Sequence, residues 1–293
     1  MNSAAPTETD LSTPSPAKRG MSTRQRLLFF LTAWLIALMP FLFWWNTWFG
    51  RHLSDKQIAE YLEDNRHPRH IQQALVQMSE RISRHDISAK QWYPDMVRLA
   101  AHPVEEVRNT DAWVLGQDTT GPGFHDALLK MLNDPSPLVR GNAALSLVRY
   151  GDATGRPQIV ELLQSRKIDA PITGRVVDAD RPGTPVRQGG LIAKIQNDQQ
   201  TIEVRSPISG RIRTLFAQTG QTVQAGAELA TIDPAVDQVW EALRALFLIG
   251  QPQDLPAITP FERELPEIPD HIRQQAVLTD KAIHDRSGAA QKN

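Results

Sequence analysis

The sequence predicts a multidomain α+β protein in which an N-terminal transmembrane helix precedes an α-helical repeat array, and an all-β domain is inserted into that array. Three observations support this prediction. An uncharged apolar run covers residues 27–49, one helical pattern occurs three times, and a segment rich in glycine and β-branched residues separates the second copy from the third. The chain of 293 residues is long enough for about two folded domains, and without cysteine it has no disulfide or thiolate chemistry.

The apolar run, LLFFLTAWLIALMPFLFWWNTWF, predicts a membrane-spanning helix over residues 27–49. Its 23 residues, at about 1.5 Å each, span roughly 35 Å, enough for the hydrocarbon core of a bilayer. A cleaved signal peptide is the alternative, but the run is long and no small-residue cleavage site follows it.

Charge around the span predicts its orientation. Four basic residues precede it, whereas acidic and basic residues mix after it; the four are Lys18, Arg19, Arg24 and Arg26. Because positive residues stay on the cytoplasmic side, residues 1–26 are expected to form a disordered cytoplasmic tail and the body of the chain to lie outside the cytoplasm. For a bacterium this predicts a single-pass inner-membrane protein with a periplasmic body.

Self-similarity predicts helical repeats on both sides of the β segment. HPVEEVRNTDAWVLG, from His102, and DPSPLVRGNAALSLV, from Asp134, align at an offset of 32 residues. DPAVDQVWEALRALFLIG, from Asp233, aligns with the second copy at an offset of 99. Each copy has proline near the helix start and apolar residues at three-to-four spacing. Such helices bury their apolar stripes only by stacking on neighbouring repeats.

The Asp-Pro pair followed by Val-Arg resembles HEAT repeats. The resemblance assigns repeats to residues 55–164 and a final repeat to residues 234–263, and residues 264–293 are expected to form one further amphipathic helix or a partly ordered tail. HEAT arrays present an extended concave surface, so the resemblance implies contact with other protein subunits.

The segment between the second and third copies, residues 168–233, also repeats internally. APITGRVV, from Ala170, matches SPISGRIR, from Ser206, and PVRQGGLIAKI, from Pro185, matches TVQAGAELATI, from Thr222. The pattern predicts two intertwined β layers related by a pseudo-twofold axis. It resembles the lipoyl/biotinyl domain family, whose fold is a barrel-sandwich hybrid and which also supplies the β core of periplasmic adaptor, or membrane fusion, proteins.

In the lipoyl/biotinyl family, a lysine at the tip of an exposed hairpin carries the cofactor. Aligned without a gap, the equivalent hairpin of this chain begins at Ile195, and Gln199 occupies the position of the lysine that accepts the cofactor. A carboxamide has no nucleophilic amine, so no cofactor is expected, and Lys194 is interpreted as a solvated strand residue off the tip. The resemblance then implies an unmodified, rigid β module that contacts partner subunits.

No catalytic motif of the GxSxG, Walker A, GxGxxG or HExxH type occurs in the chain, and no enzymatic activity is expected. His67 and His70, three residues apart at a helix start, are the candidates considered for metal or haem. With no carboxylate assigned to them, solvated histidines are the favoured interpretation and no metal is predicted.

Arginines of the β segment are candidates for a partner-docking patch. The four considered are Arg175, Arg205, Arg211 and Arg213. With Phe216 as the only aromatic residue of the segment and a net charge of -1 for the chain, nucleic-acid binding is not expected.

These features together predict an inner-membrane-anchored periplasmic scaffold or adaptor that mediates protein-protein contacts in a membrane complex. Its expected partners are other membrane or periplasmic subunits, and its membrane contact is residues 27–49. Two alternatives stay open: an accessory subunit or assembly factor of a respiratory or cytochrome complex, and an adaptor of an efflux or secretion pump.

Overall fold

The computed structural model describes residues 22–48 and 52–290, and the chain divides into two compact units, residues 1–52 and 53–293. The first unit contains helix α1, Thr23–Trp48. This helix begins inside the segment predicted to be a disordered tail, because residues 23–26 hold no helix breaker; residues 1–21 of that tail lie outside the described residues. Within the described part of the chain, no helix is both long and apolar enough to cross a membrane.

The second unit combines a helical array with an inserted β domain, which confirms the predicted mixture of helices and antiparallel sheets. Its helices are α2 Asp55–Glu63, α3 Pro68–Ser83, α4 Tyr93–Leu99, α5 Glu105–Leu115, α6 Phe124–Met131, α7 Pro137–Arg149, α8 Arg156–Glu161, α9 Val236–Ile249, α10 Leu255–Ile258 and α11 Asp270–Ala290. Short 3-10 turns cover Ile87–Trp92, Pro252–Asp254 and Thr259–Glu262.

The array is a solenoid of helix pairs. One layer contains α3, α5, α7, α9 and α11, each packed on the next, and the shorter helices pack behind them. A single apolar core runs from Leu53 to Ile283 and crosses the point of insertion without a break. The segment after residue 264 therefore supplies helix α11, whose Ile272, Ala276 and Ile283 are buried against the array.

A repeated arginine links successive helix pairs. Arg108 donates to both carboxylate oxygens of Asp134 in the next repeat, at 2.6 and 3.0 Å, and to the carbonyl of His102. Arg140, one repeat later, donates to the carbonyl of Asp134 at 2.9 Å but reaches Glu161 at 3.3 Å. The aspartate expected from the third copy, Asp233, is instead bound by Arg213 of the β domain at 2.6 Å. With the β domain inserted, Arg140 therefore pairs with Glu161 and Asp233 pairs with Arg213, so the arginine–aspartate contact between repeats is not repeated here.

The β domain, residues 166–234, contains eight strands with a core of its own. They are β1 Arg166–Asp169, β2 Gly174–Ala179, β3 Pro185–Val186, β4 Leu191–Gln196, β5 Thr201–Arg205, β6 Gly210–Leu215, β7 Thr222–Val223 and β8 Glu228–Pro234. The sheets have strand orders β1-β8-β6-β3 and β5-β4-β2-β7. Exchanging the two halves of the domain converts one order into the other, which is the predicted intertwined pseudo-twofold arrangement.

The two ends of the β domain meet at the solenoid. First strand β1 pairs with last strand β8, and Ser165 donates to Asp233 at 2.8 Å beside the entry point. Across the insertion, Arg156 of α8 donates at 2.9 Å to each carboxylate oxygen of Asp254, and both side chains are largely buried. An ion pair between residues 98 positions apart therefore joins the helices that precede the insertion to those that follow it.

One carboxyl group in the solenoid core has no hydrogen-bond partner. Asp111 of α5 is fully buried, and neither of its oxygens is within hydrogen-bond reach of a donor. Burial raises its pKa well above the usual range, which favours the protonated form of this group in the folded protein. The other two repeat copies have Ala143 and Ala242 at the aligned position, both buried.

Asp111→Ala is expected to raise the free energy of unfolding at pH 7 by about 1–2 kcal/mol, because it removes a buried polar group without a partner. Since the folded pKa is raised, the wild type is destabilised as pH rises above 3.8, the usual value for the carboxyl, towards the folded pKa. Urea unfolding at pH 4, 5.5 and 7 should show the gain growing with pH. A gain independent of pH, or a loss of stability at pH 7, would contradict this assignment.

Candidate partner-binding module

The hairpin between β4 and β5 presents Gln199 at its tip. Asn197 organises the turn: its backbone N–H donates to the carbonyl of Gln200 at 3.0 Å, and its side-chain oxygen accepts from the N–H groups of Gln199 and Gln200 at 3.0 and 2.9 Å. The side chain of Gln199 is exposed. Gln199 therefore lies on a tight, solvent-facing turn.

The tip lies at the end of the β domain opposite to the solenoid connections. Strand β2 begins beside the tip, where Arg175 pairs with Gln196, and the chain then runs to β3, which pairs with the start of β6 at the junction. Gly210 in β6 pairs with Pro234, the last residue of β8. The module therefore holds one end against the solenoid and directs a polar turn away from it.

Lys194 lies on strand β4, two residues before the strand ends. Its ammonium group is 3.4 Å from a carboxylate oxygen of Glu203, its cross-strand neighbour. Hydrogen bonding from Arg205 is the main cause that lowers the pKa of Glu203, and the hydrogen bond from Lys194 adds to it. Lys194 thus belongs to an ion-paired strand face rather than to the hairpin tip.

The four arginines considered for a docking patch do not come together. Arg175 is exposed beside the tip, whereas Arg205 lies at the other end of the same sheet and donates to Glu203 and to the carbonyl of Gly189. Arg211 and Arg213 lie on β6 in the other sheet, bonded to the Gly183 carbonyl and to Asp233. Of the four, only Arg175 lies at a strand position next to the β4–β5 hairpin tip, beside Gln196.

The module is fixed to the solenoid by side chains as well as by its two chain connections. Gln188, in the turn before β4, donates to Glu105 at the start of α5, and the same carboxylate accepts from Ser136 at 2.7 Å. On the other side, Arg166 of β1 donates to Glu161 at 3.1 Å. A crevice at this junction has an internal volume of about 10 Å³, room for no more than one water molecule.

A histidine cluster lies apart from the module, where α2 meets α3. His67 and His70 both hydrogen-bond through Nδ1 to one carboxylate oxygen of Asp64, each at 2.8 Å. This carboxylate was not predicted from the sequence. In the sequence, the equal spacing could have indicated it. Asp64, His67 and His70 follow one another at intervals of three residues, from the end of one helix into the first turn of the next.

The chain contains a HEAT repeat and a barrel-sandwich hybrid domain of the biotin/lipoyl type. Residues 126–152 match the HEAT repeat family, and residues 166–232 match the biotin/lipoyl family described as "Biotin-requiring enzyme". Residues 200–274 match the family described as "RND MFP, barrel-sandwich hybrid domain". In the structure that last range holds strands β5 to β8 and then continues into the solenoid helices.

A curated relative is similar to part of the chain. "Putative efflux system component YhbJ" of Bacillus subtilis (strain 168) is 44% identical over 68 residues, which are 22% of this chain and 30% of the relative. The chain thus spans less than a third of that protein's length. A solved structure described as "Structure and function of a single-chain, multi-domain long-chain acyl-coa carboxylase" matches 28% of this chain and 9% of its own, with 18% identity and a TM-score of 0.24.

Proposed function

We propose that this protein is a membrane-anchored adaptor that holds an unmodified barrel-sandwich hybrid domain in a fixed position for contact with a membrane transport complex. The observation that carries the proposal is the hairpin tip at Gln199. In a domain of the biotin/lipoyl type the chemically active position is this tip, and here it bears a carboxamide that accepts no acyl group. What is left is an exposed, rigid turn suited to protein contact.

The docking of the β domain on the solenoid also supports an adaptor. A cofactor-carrying domain acts by moving between sites, which requires flexible connections. Here Glu105 and Glu161 bind side chains on two sides of the domain, and its first and last strands pair at the entry point. A domain held in this way presents its tip at a constant position, which favours a scaffold over a carrier.

A membrane anchor at the N-terminus is part of the proposal. Helix α1 carries large apolar side chains that are exposed. They are Leu27, Leu28, Phe29, Phe30, Leu31, Trp34, Leu35, Ile36 and Met39. A bilayer would remove this surface from water. With the basic residues before it, the proposed arrangement is a cytoplasmic N-terminus and a periplasmic body in the inner membrane.

Similarity to an efflux system component favours a transporter subunit as the partner over a respiratory or cytochrome subunit. The matched segment of that relative is short, and the efflux role is its own. For this chain the proposed partner is a membrane transport protein that recognises the β4–β5 turn, with the layer formed by α3, α5, α7, α9 and α11 as a second contact surface. Trp113 on α5 is an exposed aromatic residue on that layer.

Site-directed cross-linking tests this proposal cleanly because the chain has no cysteine. Gln199→Cys, labelled with a photoactivatable maleimide in native membranes, is expected to form an adduct with a transporter subunit. Gln91→Cys, at an exposed glutamine in the 3-10 turn before α4, is the matched control and should form none. Adducts identified as oxidase or cytochrome subunits would favour the alternative function. Equal adducts from both positions, or none from Gln199→Cys, would refute the adaptor role of the tip.

A further inference from the structure

The cluster of Asp64, His67 and His70 brings three metal-ligating side chains to one point on the first repeat. Their possible ligand atoms all lie within 4.8 Å of one another, and no other group of this kind occurs in residues 22–48 and 52–290. One carboxylate oxygen of Asp64 is shared by the Nδ1 atoms of both imidazoles, at 2.8 Å each. Both imidazoles therefore contact a single oxygen atom of Asp64.

Local structure holds the cluster in place. Asp64 is the residue after α2, and its carbonyl accepts from the backbone N–H of His67 at 3.1 Å. The backbone N–H of His70 donates to the carbonyl of His67 at 2.8 Å, and the ring of Tyr61 stacks on His70 with 4.3 Å between ring centroids. Backbone and stacking contacts thus position two of the ligands before any ion arrives.

The charge state of the carboxyl group suits a cation. One carboxylate oxygen of Asp64 accepts from both imidazoles, and a carboxylate is the ligand type that brings negative charge to the site. Its side chain is 24% exposed, while His67 and His70 are 64% and 40% exposed. The carboxylate is therefore partly withdrawn from water, and the imidazoles remain accessible to an ion from solution.

We propose that Asp64, His67 and His70 form a binding site for one divalent transition-metal ion, with zinc as the representative ligand. Two imidazole nitrogens and one carboxylate oxygen are the donor types that Zn²⁺ takes from proteins. When the ion binds, the proton on each Nδ1 leaves to solvent, and each neutral ring keeps or takes up one proton at Nε2. Three protein ligands leave a fourth position for water or for a side chain of a partner subunit.

The geometry requires only a small adjustment. At metal–ligand distances of about 2.0–2.1 Å, tetrahedral ligand atoms lie about 3.3 Å apart. The two Nδ1 atoms now lie 2.8 Å from the carboxylate oxygen, so each contact must lengthen by about half an ångström. His67 can provide the movement for its own contact, because it is the most exposed of the three and its side chain makes no helix-capping hydrogen bond.

Zinc titration of the full chain tests the site. The protein, purified in detergent without a histidine tag and stripped with chelator, should bind one equivalent of Zn²⁺, and Co²⁺ should give the visible absorption of a tetrahedral site. His67→Ala removes an exposed ligand with little risk to folding, and it is expected to weaken binding at least about tenfold. His125→Ala is the matched control, since His125 lies outside the cluster and its Nε2 atom pairs with Asp152 at 2.8 Å.

The outcomes are distinct. One equivalent of zinc in the wild type and in His125→Ala, weakened or lost in His67→Ala and in His70→Ala, supports the site. Absence of binding in the wild type overturns the proposal, as does binding that His67→Ala and His70→Ala leave unchanged. Circular dichroism of each variant shows that the helices are retained, so a loss of zinc is assigned to the missing ligand. None of these results depends on the adaptor function.

Discussion

Arg156→Ala is expected to lower the free energy of unfolding of the solenoid by about 3 kcal/mol, because it leaves the buried carboxylate of Asp254 without its cation. Arg156 and Asp254 are only 17% and 7% exposed, so water screens their attraction little. This ion pair joins α8, before the insertion, to the turn after α9. We expect its loss to separate the solenoid into an N-terminal and a C-terminal part of lower cooperativity.

Urea unfolding followed by tryptophan fluorescence measures this effect, since Trp92 and Trp113 precede the insertion and Trp240 follows it. Arg244→Ala is the control: Arg244 pairs with Glu241 at 3.4 Å on an exposed helix face, and its removal should change stability by less than about 0.5 kcal/mol. Equal effects of the two substitutions would show that the bridge across the insertion does not stabilise the array.

Gly210→Ala is the second substitution with a large expected effect. A Cβ at this position would lie 1.8 Å from the backbone carbonyl oxygen of Asp233. Backbone cannot move aside as a flexible side chain can, so β6 and β8 must separate, and we expect the β domain to lose about 3 kcal/mol of stability. The pseudo-symmetric Gly174 faces the carbonyl of Gln196 at 2.5 Å, so Gly174→Ala should have the same sign and a smaller size.

Hydrogen exchange of strand amides is the measurement, because the β domain contains no tryptophan. Faster exchange in β6 and β8, with the solenoid helices protected as before, is the expected pattern. Gly288→Ala, in α11 with open space around it, serves as the control and should leave exchange in the strands unchanged. Unchanged exchange in Gly210→Ala would mean that the two strands can separate at little cost.

Repetition is the reason that much of the fold could be predicted. The offset of 32 between the copies at His102 and Asp134 fixed the helix pairs, and the internal duplication of the β segment fixed its intertwined topology. Gln199 could be assigned to the position of the acceptor lysine because the segment from Ile195 aligns with the lipoyl/biotinyl hairpin without a gap. A repeated pattern constrains structure more strongly than local propensity does, since every copy must satisfy the same packing.

Features that depend on contacts between distant segments could not be predicted in this way. Arg175 and Arg211 occupy equivalent positions in the two halves of the β domain, but the pseudo-twofold axis sends them to opposite ends of it. The partner of Arg156 lies 98 residues away, beyond the insertion. Asp111 aligns with the buried Ala143 and Ala242, but the absence of a hydrogen-bond partner for its carboxyl group depends on how α5 stacks on its neighbours.

The pairing of β1 with β8 has a mechanical consequence. Both strands continue into the solenoid, β1 from α8 and β8 into α9, so a pull on the turn at Gln199 is shared between two adjacent helices. Force from a moving partner would therefore reach the array between α8 and α9, whereas a single flexible tether would absorb the same displacement.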